Sequence, residues 1–211
     1  MIKQHKKLIV LTAIITLLPI IMGLLLWNKL PDTMATHFGM NNQANGYSSK
    51  AFAVFGLPLI ILAIHFVCII ATSIDPKSKD INRKIFSLVL WICPFISILV
   101  CSIIYGYALG YLTNITFLMT VMVGILFIAL GNFMPTVKPN YSIGFRISWA
   151  LNDSENWYHT HRFGGKCMVV CGILILLAAP FLNLWGFVVL AVTPGVLPII
   201  YSYLYDRKKN A

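Results

Sequence analysis

The residues best equipped for chemistry lie close together in the stretch IGFRISWALNDSENWYHTHRFGGK, residues 143–166. This stretch holds two of the five histidines and two of the six acidic residues of the chain, His159, His161, Asp153 and Glu155. Histidine and carboxylate side chains are common metal ligands and acid–base groups. A metal centre or a hydrolytic site is therefore the first possibility that the sequence raises.

The spacing of these residues argues against both kinds of site. On a helix, His159 and His161 are two positions apart and point to different sides, so they cannot share one metal ion. The sequence has no H-E-x-x-H motif, no Walker-type glycine loop and no G-x-S-x-G motif. We therefore predict that the protein has no catalytic residues, no metal and no cofactor, and that it is not an enzyme.

The elements that position this stretch are transmembrane helices. Of the 211 residues, 59% are hydrophobic and only 10% are charged, and the mean hydropathy is +0.83. Six apolar runs approach the roughly 20 residues that a helix needs to cross a bilayer. We predict an all-α polytopic protein with one membrane domain over residues 1–211 and six spans at about 8–27, 51–72, 85–106, 114–134, 164–182 and 184–205.

The basic residues predict the orientation of these spans. Fourteen of the 16 Lys and Arg residues lie before span one, between spans two and three, between spans four and five, or after span six. Lys29 and Lys50, the other two, lie between spans one and two. The positive-inside rule therefore predicts cytoplasmic termini, an extracellular loop at 28–50 and a cytoplasmic loop at 135–164. Nucleic-acid binding is the weaker interpretation, because the basic residues are spread over several short segments.

The middles of the spans contain no Asp, Glu, Lys or Arg, and His65 is the one histidine there. Coupled transporters usually have an ionisable residue at membrane depth. A single membrane histidine is more often a hydrogen-bonded packing residue. The sequence therefore disfavours a small-solute transporter or channel, which remains the alternative function.

Residues 143–166 themselves predict a turn followed by a helix. Asn152 is placed to cap a helix with Glu155 at its third position, and this helix runs from about Asp153 into span five. Trp157, His161 and Gly165 share one face of it, where small residues allow close helix packing. Two interpretations stay open: an amphipathic helix with Trp157 at the membrane interface and Arg162 at the phosphates, or a docking surface for a cytoplasmic partner.

The loop LPDTMATHFGMNNQANGYSSK, residues 30–50, also admits two interpretations. His37, Phe38 and Tyr47 carry amphipathic rings suited to the headgroup region, so the loop could be an interfacial anchor. It is also longer than a simple turn requires, which favours a recognition surface.

Taken together, the two loops give the chain a resemblance to the SdpI family of bacterial membrane immunity proteins. In that family, an extracellular segment of the type LPxxxPxHF…G…G…SK, a domain of unknown function, precedes a signature of the type GxRTPWTLxxExxWxxTHRxGG. The first motif is matched by Pro31, His37, Phe38, Gly46 and Lys50, with Tyr47 as a further candidate for contact with a ligand. The second is matched by Gly144, Arg146, Trp149, Leu151, Trp157, His161, Arg162, Gly164 and Gly165.

This sequence departs from the family pattern at four positions. Ala35 stands where the family often has proline, Ile147 and Ser148 replace the usual Thr-Pro pair, and Ala150 stands where Thr is common. Loss of the second proline leaves the bend before Trp149 less rigid.

The resemblance implies a multi-pass protein of the bacterial plasma membrane that protects the cell from a secreted antimicrobial peptide toxin. It also implies a receptor that holds a winged-helix transcriptional repressor at the membrane, with no direct binding of nucleic acid. The outer-loop residues are then candidates for toxin binding, and the signature residues are candidates for contact with the repressor. Span five, which continues from the signature, is the predicted link between the two faces.

Overall fold

A computed structural model describes residues 2–39 and 41–210. Its long helices are α1 (Ile2–Leu25), α2 (Leu57–Ser73), α3 (Arg83–Ala108), α4 (Ile115–Phe133), α6 (Ser154–Ala178) and α7 (Leu184–Lys209), and α5 (Ser148–Asn152) is a short helix before α6. Among the described residues, six helices are long and apolar enough to cross a membrane. The predicted all-α polytopic fold is thus confirmed. Helices form here because a bilayer offers no partner for a free backbone N–H or C=O.

Short irregular elements join the helices. A π-helical turn (Phe52–Gly56) leads into α2, and 3₁₀ turns lie before α3 (Ser78–Asp80) and after α4 (Met134–Thr136). The segment 30–50, for which the sequence predicts a loop, contains an antiparallel hairpin of β1 (Thr33–Phe38) and β2 (Ala44–Ser49). Its register runs from Thr33 opposite Ser49 to Phe38 opposite Ala44, with irregularities on both sides of His37.

The chain divides into two compact units. The first comprises Met1–Ser73 and Phe86–Leu118, and the second comprises Ile74–Ile85 and Met119–Ala211. The first unit thus holds α1, the hairpin, α2 and nearly all of α3, whereas the second holds most of α4 together with α5, α6 and α7.

Polar side chains join the helices of the first unit. The Ser97 hydroxyl of α3 donates to the Thr16 carbonyl of α1 over 2.7 Å, and the Tyr105 hydroxyl donates to the Pro19 carbonyl over 3.2 Å. His65 of α2 is fully buried, with its Nε2 3.1 Å from Thr12 Oγ1. Such interhelical hydrogen bonds hold helices together in lipid. His65 thus makes the hydrogen bond expected of a packing residue through Nε2, whereas its buried Nδ1 has no hydrogen-bond partner among the described residues.

Candidate functional site

The signature region in the second unit is built around His161 of α6. The Phe145 N–H donates to His161 Nε2 over 3.0 Å, so that nitrogen carries no proton. His161 Nδ1 therefore carries the proton and donates to the Trp157 carbonyl over 2.9 Å. Since both ring nitrogens are used and the side chain is 1% exposed, His161 holds the backbone of the loop in place.

Gly144 allows this contact. Its φ of +103° lies in the region that favours glycine. A Cβ atom at Gly144 would lie 2.3 Å from His161 Nε2. The turn predicted around Gly144 is therefore present, and it brings the Phe145 N–H onto the histidine.

Trp157 is part of the core and does not lie at the surface. Its side chain is 1% exposed and stacks on His161 with the ring centroids 4.0 Å apart. Its indole N–H donates to the Val137 carbonyl over 2.8 Å. The interpretation that placed Trp157 in the membrane interface is therefore wrong, because the indole N–H finds its partner within the protein.

A second buried network joins α6 to α7 through Ser202. The Ser202 hydroxyl donates to Asn156 Oδ1 over 2.7 Å and accepts from the Trp149 indole N–H over 2.9 Å. The Asn156 amide nitrogen donates to the Ser202 carbonyl over 3.0 Å, and the Thr160 hydroxyl donates to Asn156 Oδ1 over 2.9 Å. A fully satisfied polar network of this kind fixes one arrangement of its helices.

Glycines bring α4 and α6 into close contact. A Cβ atom at Gly165 would lie 2.7 Å from the Gly131 carbonyl oxygen, and one at Gly172 would lie 2.8 Å from the Gly124 carbonyl oxygen. Gly164 lies beneath the Phe145 ring, which its Cβ atom would meet at 2.2 Å. The close packing predicted at the small residues is thus present.

The helix α6 begins one residue later than the predicted cap allows. Asp153, rather than Asn152, is the N-cap, and its carboxylate accepts from the N–H groups of Glu155 and Asn156. The Lys209 ammonium lies 2.7 Å from Asp153 and 3.0 Å from Glu155. Hydrogen bonding to Lys209 and to the backbone lowers the pKa of Asp153 despite its partial burial. Asn152 cannot take this role, because it still belongs to α5.

Asp75 anchors the loop before the signature. Its carboxylate accepts from the Tyr141 N–H over 2.8 Å, from the Ser142 hydroxyl, and from the Lys77 N–H over 2.8 Å. Burial by itself raises the pKa of this group, but the hydrogen bonds from Ser142, Lys77 and Tyr141 outweigh burial, so the pKa lies below its ordinary value. The α2–α3 connection is thereby tied to residues 141–142.

Two arginines of the signature are exposed. Arg146 Nη1 donates to the Tyr141 carbonyl over 3.1 Å, and Arg162 Nη1 donates to the Tyr158 hydroxyl over 2.8 Å. Neither forms an ion pair within residues 2–39 and 41–210. The eight signature candidates thus separate into exposed Arg146 and Arg162, half-buried Gly144 and Trp149, and buried Trp157, His161, Gly164 and Gly165.

In the first unit, Lys50 fixes the base of the hairpin. Its ammonium donates to the carbonyls of Trp27 and Leu30 over 3.2 and 2.9 Å, and it lies 3.0 Å from the Asp32 carboxylate. The same ammonium lies 5.1 Å from the centre of the Trp27 ring. With all its donors engaged, Lys50 holds the fold of the hairpin.

The tip of the hairpin contacts the start of α4. Asn42 has a φ of +63°, and its Oδ1 accepts from the N–H groups of Ile115 and Thr116 over 2.7 and 3.1 Å. Its amide nitrogen donates to the Thr113 carbonyl. Asn42 therefore acts as a capping residue for α4 from a distant part of the sequence.

Some of the other hairpin candidates are exposed at the surface, and the rest pack against neighbouring side chains. Pro31, His37 and Tyr47 are exposed, and His37 Nδ1 lies 2.5 Å from Asn45 Oδ1. Phe38 packs edge-on against Tyr107 with the ring centroids 4.8 Å apart, and a Cβ atom at Gly46 would lie 2.8 Å from His37 Cβ. The accessible candidates are therefore Pro31, His37 and Tyr47.

The part of the chain that the structure describes contains no group of three His, Cys, Asp or Glu residues that could hold a metal ion. His159 packs against Tyr158 and Tyr205, on a different side of α6 from His161. The signature region therefore has a backbone fixed by buried hydrogen bonds and an exposed basic surface at Arg146 and Arg162.

Sequence reasoning missed several residues that build these regions: Asn42, Asp75, Asn140, Asn156 and Ser202. Asp75 is one of only six acidic residues, and this scarcity was a usable signal. The partners of Asn42 are more than 70 residues away, so no local pattern could identify them. Asn140 accepts from the N–H groups of Ser142 and Ile143 and thereby shapes the turn before Gly144.

Comparison with known proteins identifies two regions of the chain. Residues 136–202 match the model of the SdpI/YfhL protein family, and residues 14–62 match a domain of unknown function, DUF1648. The first match covers the signature with α6 and most of α7. The second covers the second half of α1, the hairpin and the start of α2.

One curated relative extends over nearly the whole chain. The chain is 28% identical to Immunity protein SdpI of Bacillus subtilis (strain 168), over 95% of this chain and 97% of that protein. No solved structure matches significantly. The resemblance carried by the two motifs is thereby confirmed: this multi-pass membrane protein is similar to the SdpI/YfhL family over residues 136–202 and to Immunity protein SdpI over nearly its whole length.

Proposed function

We propose that this protein is a non-enzymatic immunity protein that protects the cell from a secreted antimicrobial peptide toxin. The observation that carries the proposal is the similarity to Immunity protein SdpI over 95% of the chain. Both motifs lie within the aligned length, so the two faces of the protein belong to one shared architecture.

The toxin contacts the hairpin face, which the positive-inside rule predicts to lie outside the cell. His37 and Tyr47 are exposed there, with Tyr47 62% exposed, whereas Phe38, Gly46 and Lys50 serve the fold of the hairpin. The Asp32 carboxylate is paired with Lys50. The hairpin therefore offers a toxin aromatic and amide groups more than free negative charge.

The signature face holds a winged-helix repressor on the predicted cytoplasmic side. Arg146 and Arg162 are the two signature residues exposed enough to touch such a partner. The buried members keep the presenting loop in shape through His161 and Trp157. The two arginines thus contact the repressor, whereas the glycines and aromatic residues hold the loop in its conformation.

A signal between the two faces needs an element that can differ between the bound and free states. The helix α6 continues directly from the signature, as the sequence suggested. The helix α4 is an equally good candidate for this element. Asn42 of the hairpin caps its first turn, and Gly131 near its other end packs against Gly165. We propose that α4 and α6 carry the signal together.

The protective function is tested by expressing the protein in a toxin-sensitive host and measuring survival against candidate secreted peptides. The exposed-residue variants His37→Ala and Tyr47→Ala are expected to reduce survival at unchanged membrane abundance. Lys29→Ala, a neighbouring exposed change, is the matched control. Unchanged sensitivity to every peptide, together with altered solute flux, would exclude immunity and favour the transporter alternative.

Repressor holding is tested separately by the membrane-bound fraction of a co-expressed repressor. Arg146→Ala and Arg162→Ala should release the repressor, whereas Lys138→Ala, an exposed basic residue outside the signature, should not. Survival without any repressor recruitment would leave the immunity function standing and remove the receptor function.

A further inference from the structure

A groove in the second unit lies between the end of α4 and the middle of α6. It has a volume of about 280 Å³, and it is lined by Gly131, Asn132, Pro135, Gly165, Lys166, Val169 and Val170. The close packing of Gly131 on Gly165 makes its floor from backbone, because neither residue contributes a side chain. The groove is thus apolar along one wall and carries an ammonium group at its edge.

Lys166 has no partner that would neutralise its charge. The side chain is exposed, and within residues 2–39 and 41–210 its ammonium forms no ion pair and no hydrogen bond. Lysine is costly in an apolar helix unless it reaches the interface or an anion. Lys166 therefore leaves one unit of positive charge beside the groove.

The surroundings supply the rest of a lipid site. Val169 and Val170 lie on the next turn of α6, and Val170 is 54% exposed, which gives an acyl chain an apolar contact. The Asn132 amide nitrogen donates one hydrogen bond to the Ile128 carbonyl, and its other N–H is a further donor beside the groove. Arg162, one turn before Lys166 on the same side of α6, is also exposed.

We propose that this groove binds an anionic phospholipid, with the headgroup phosphate on Lys166 and an acyl chain along Val169 and Val170. Charge complementarity selects this occupant, since a zwitterionic lipid would bring its own cationic group near the Lys166 ammonium, whereas an anionic headgroup supplies net negative charge. The proposal does not depend on the immunity function. It assigns the groove a structural ligand that a bacterial membrane supplies in abundance.

The test uses the full-length protein in mixed micelles with phosphatidylglycerol and phosphatidylcholine, and native mass spectrometry counts the retained lipids. The wild-type protein should retain phosphatidylglycerol in preference to phosphatidylcholine. Lys166→Gln should lower this preference about fivefold, as expected for one basic group at an anionic lipid surface. Lys166→Arg should preserve it, because the positive charge remains.

Lys79→Gln is the matched control, since Lys79 is exposed in the same unit but does not line the groove. An unchanged lipid preference in Lys166→Gln would overturn the proposal. An equal loss in Lys79→Gln would overturn it as well, because the attraction would then belong to the general positive charge. Displacement by water-soluble glycerol phosphate alone would show a phosphate site without a lipid component, which contradicts the acyl contact.

Discussion

At the scale of single residues, the signature is a set of positions where a side chain fixes a backbone. Gly144 permits a positive φ, and His161 accepts a hydrogen bond from the Phe145 N–H. The Trp157 indole N–H donates to the Val137 carbonyl. None of these groups is left free to act on a substrate. Substitutions of the buried signature residues should therefore change the backbone conformation of the loop. Substitutions of the exposed arginines should change only its surface.

Gly144→Ala should destabilise the protein strongly. The new Cβ atom would meet His161 Nε2 at 2.3 Å while the backbone stays in a region unfavourable to alanine. We expect a loss of at least about 1–3 kcal/mol, seen as a lower midpoint of thermal unfolding in detergent. Gly195→Ala is the control, since a Cβ atom there meets nothing within 4 Å. Equal stability of the two variants would contradict the role assigned to Gly144.

Asp75 should give the stability a defined dependence on pH. Its folded pKa lies below the ordinary value, so its contribution is fully present above the ordinary carboxyl pKa of about 4. The contribution is lost as the pH falls through the folded pKa. We expect Asp75→Asn to cost about 1–3 kcal/mol near neutral pH and progressively less in acid.

Thermal unfolding of both proteins across the acid range checks this expectation. Asp80→Asn provides the comparison, because the Asp80 side chain is exposed. The difference in unfolding midpoint between wild type and Asp75→Asn should shrink in acid. A difference that stays constant from neutral to strongly acidic pH would contradict the pH dependence assigned to Asp75.

At the scale of elements, helix ends and crossings are set by residues distant in the sequence. The first turn of α4 takes a cap from the hairpin, α7 is joined to α6 through Ser202, and Lys209 of α7 pairs with the Asp153 cap of α6. Local patterns predict that a helix exists here. They do not reveal the partners of its ends.

The Asn42 cap leads to a prediction for α4. Asn42→Gly keeps the backbone angle but removes the acceptor, and it should expose the amides of Ile115 and Thr116 to solvent. We expect about 1 kcal/mol of lost protection, measured as faster hydrogen exchange at these two amides. Asn42→Asp retains an acceptor and should exchange slowly. Asn41→Ala, a neighbouring change whose side chain bonds only within the tip, should leave both amides unchanged.

At the scale of the whole molecule, the distribution of basic residues predicts which loops face the cell interior. Fourteen of 16 basic residues lie on one predicted side. The orientation is accessible to a direct chemical measurement, since both Gln43 in the hairpin tip and Lys138 before the signature are exposed.

In a variant lacking the five cysteines, single cysteines are placed at Gln43 and at Lys138. A membrane-impermeant maleimide applied to intact cells should label the Gln43→Cys protein and spare the Lys138→Cys protein. Permeabilised cells, where both should react, provide the control. Labelling of Lys138→Cys in intact cells would reverse the predicted orientation and with it the proposed sides of toxin and repressor.

The sequence by itself determined the fold class, the six helices and the two motifs, because long uncharged runs in a bilayer have helix as their main solution. It also determined the close packing of Gly165, since small residues mark where helices meet in lipid. The tertiary structure alone decided that Trp157 is buried, that Asp153 is the cap of α6 and that Asn42 caps α4. The first and the last depend on hydrogen-bond partners distant in the sequence, which only folding brings near, whereas Asp153 is the cap because Asn152 still belongs to α5. The hydrogen bonds of His161, Trp157 and Ser202 likewise fix residues 143–166 as a turn followed by α5 and the start of α6, with Arg146 and Arg162 exposed.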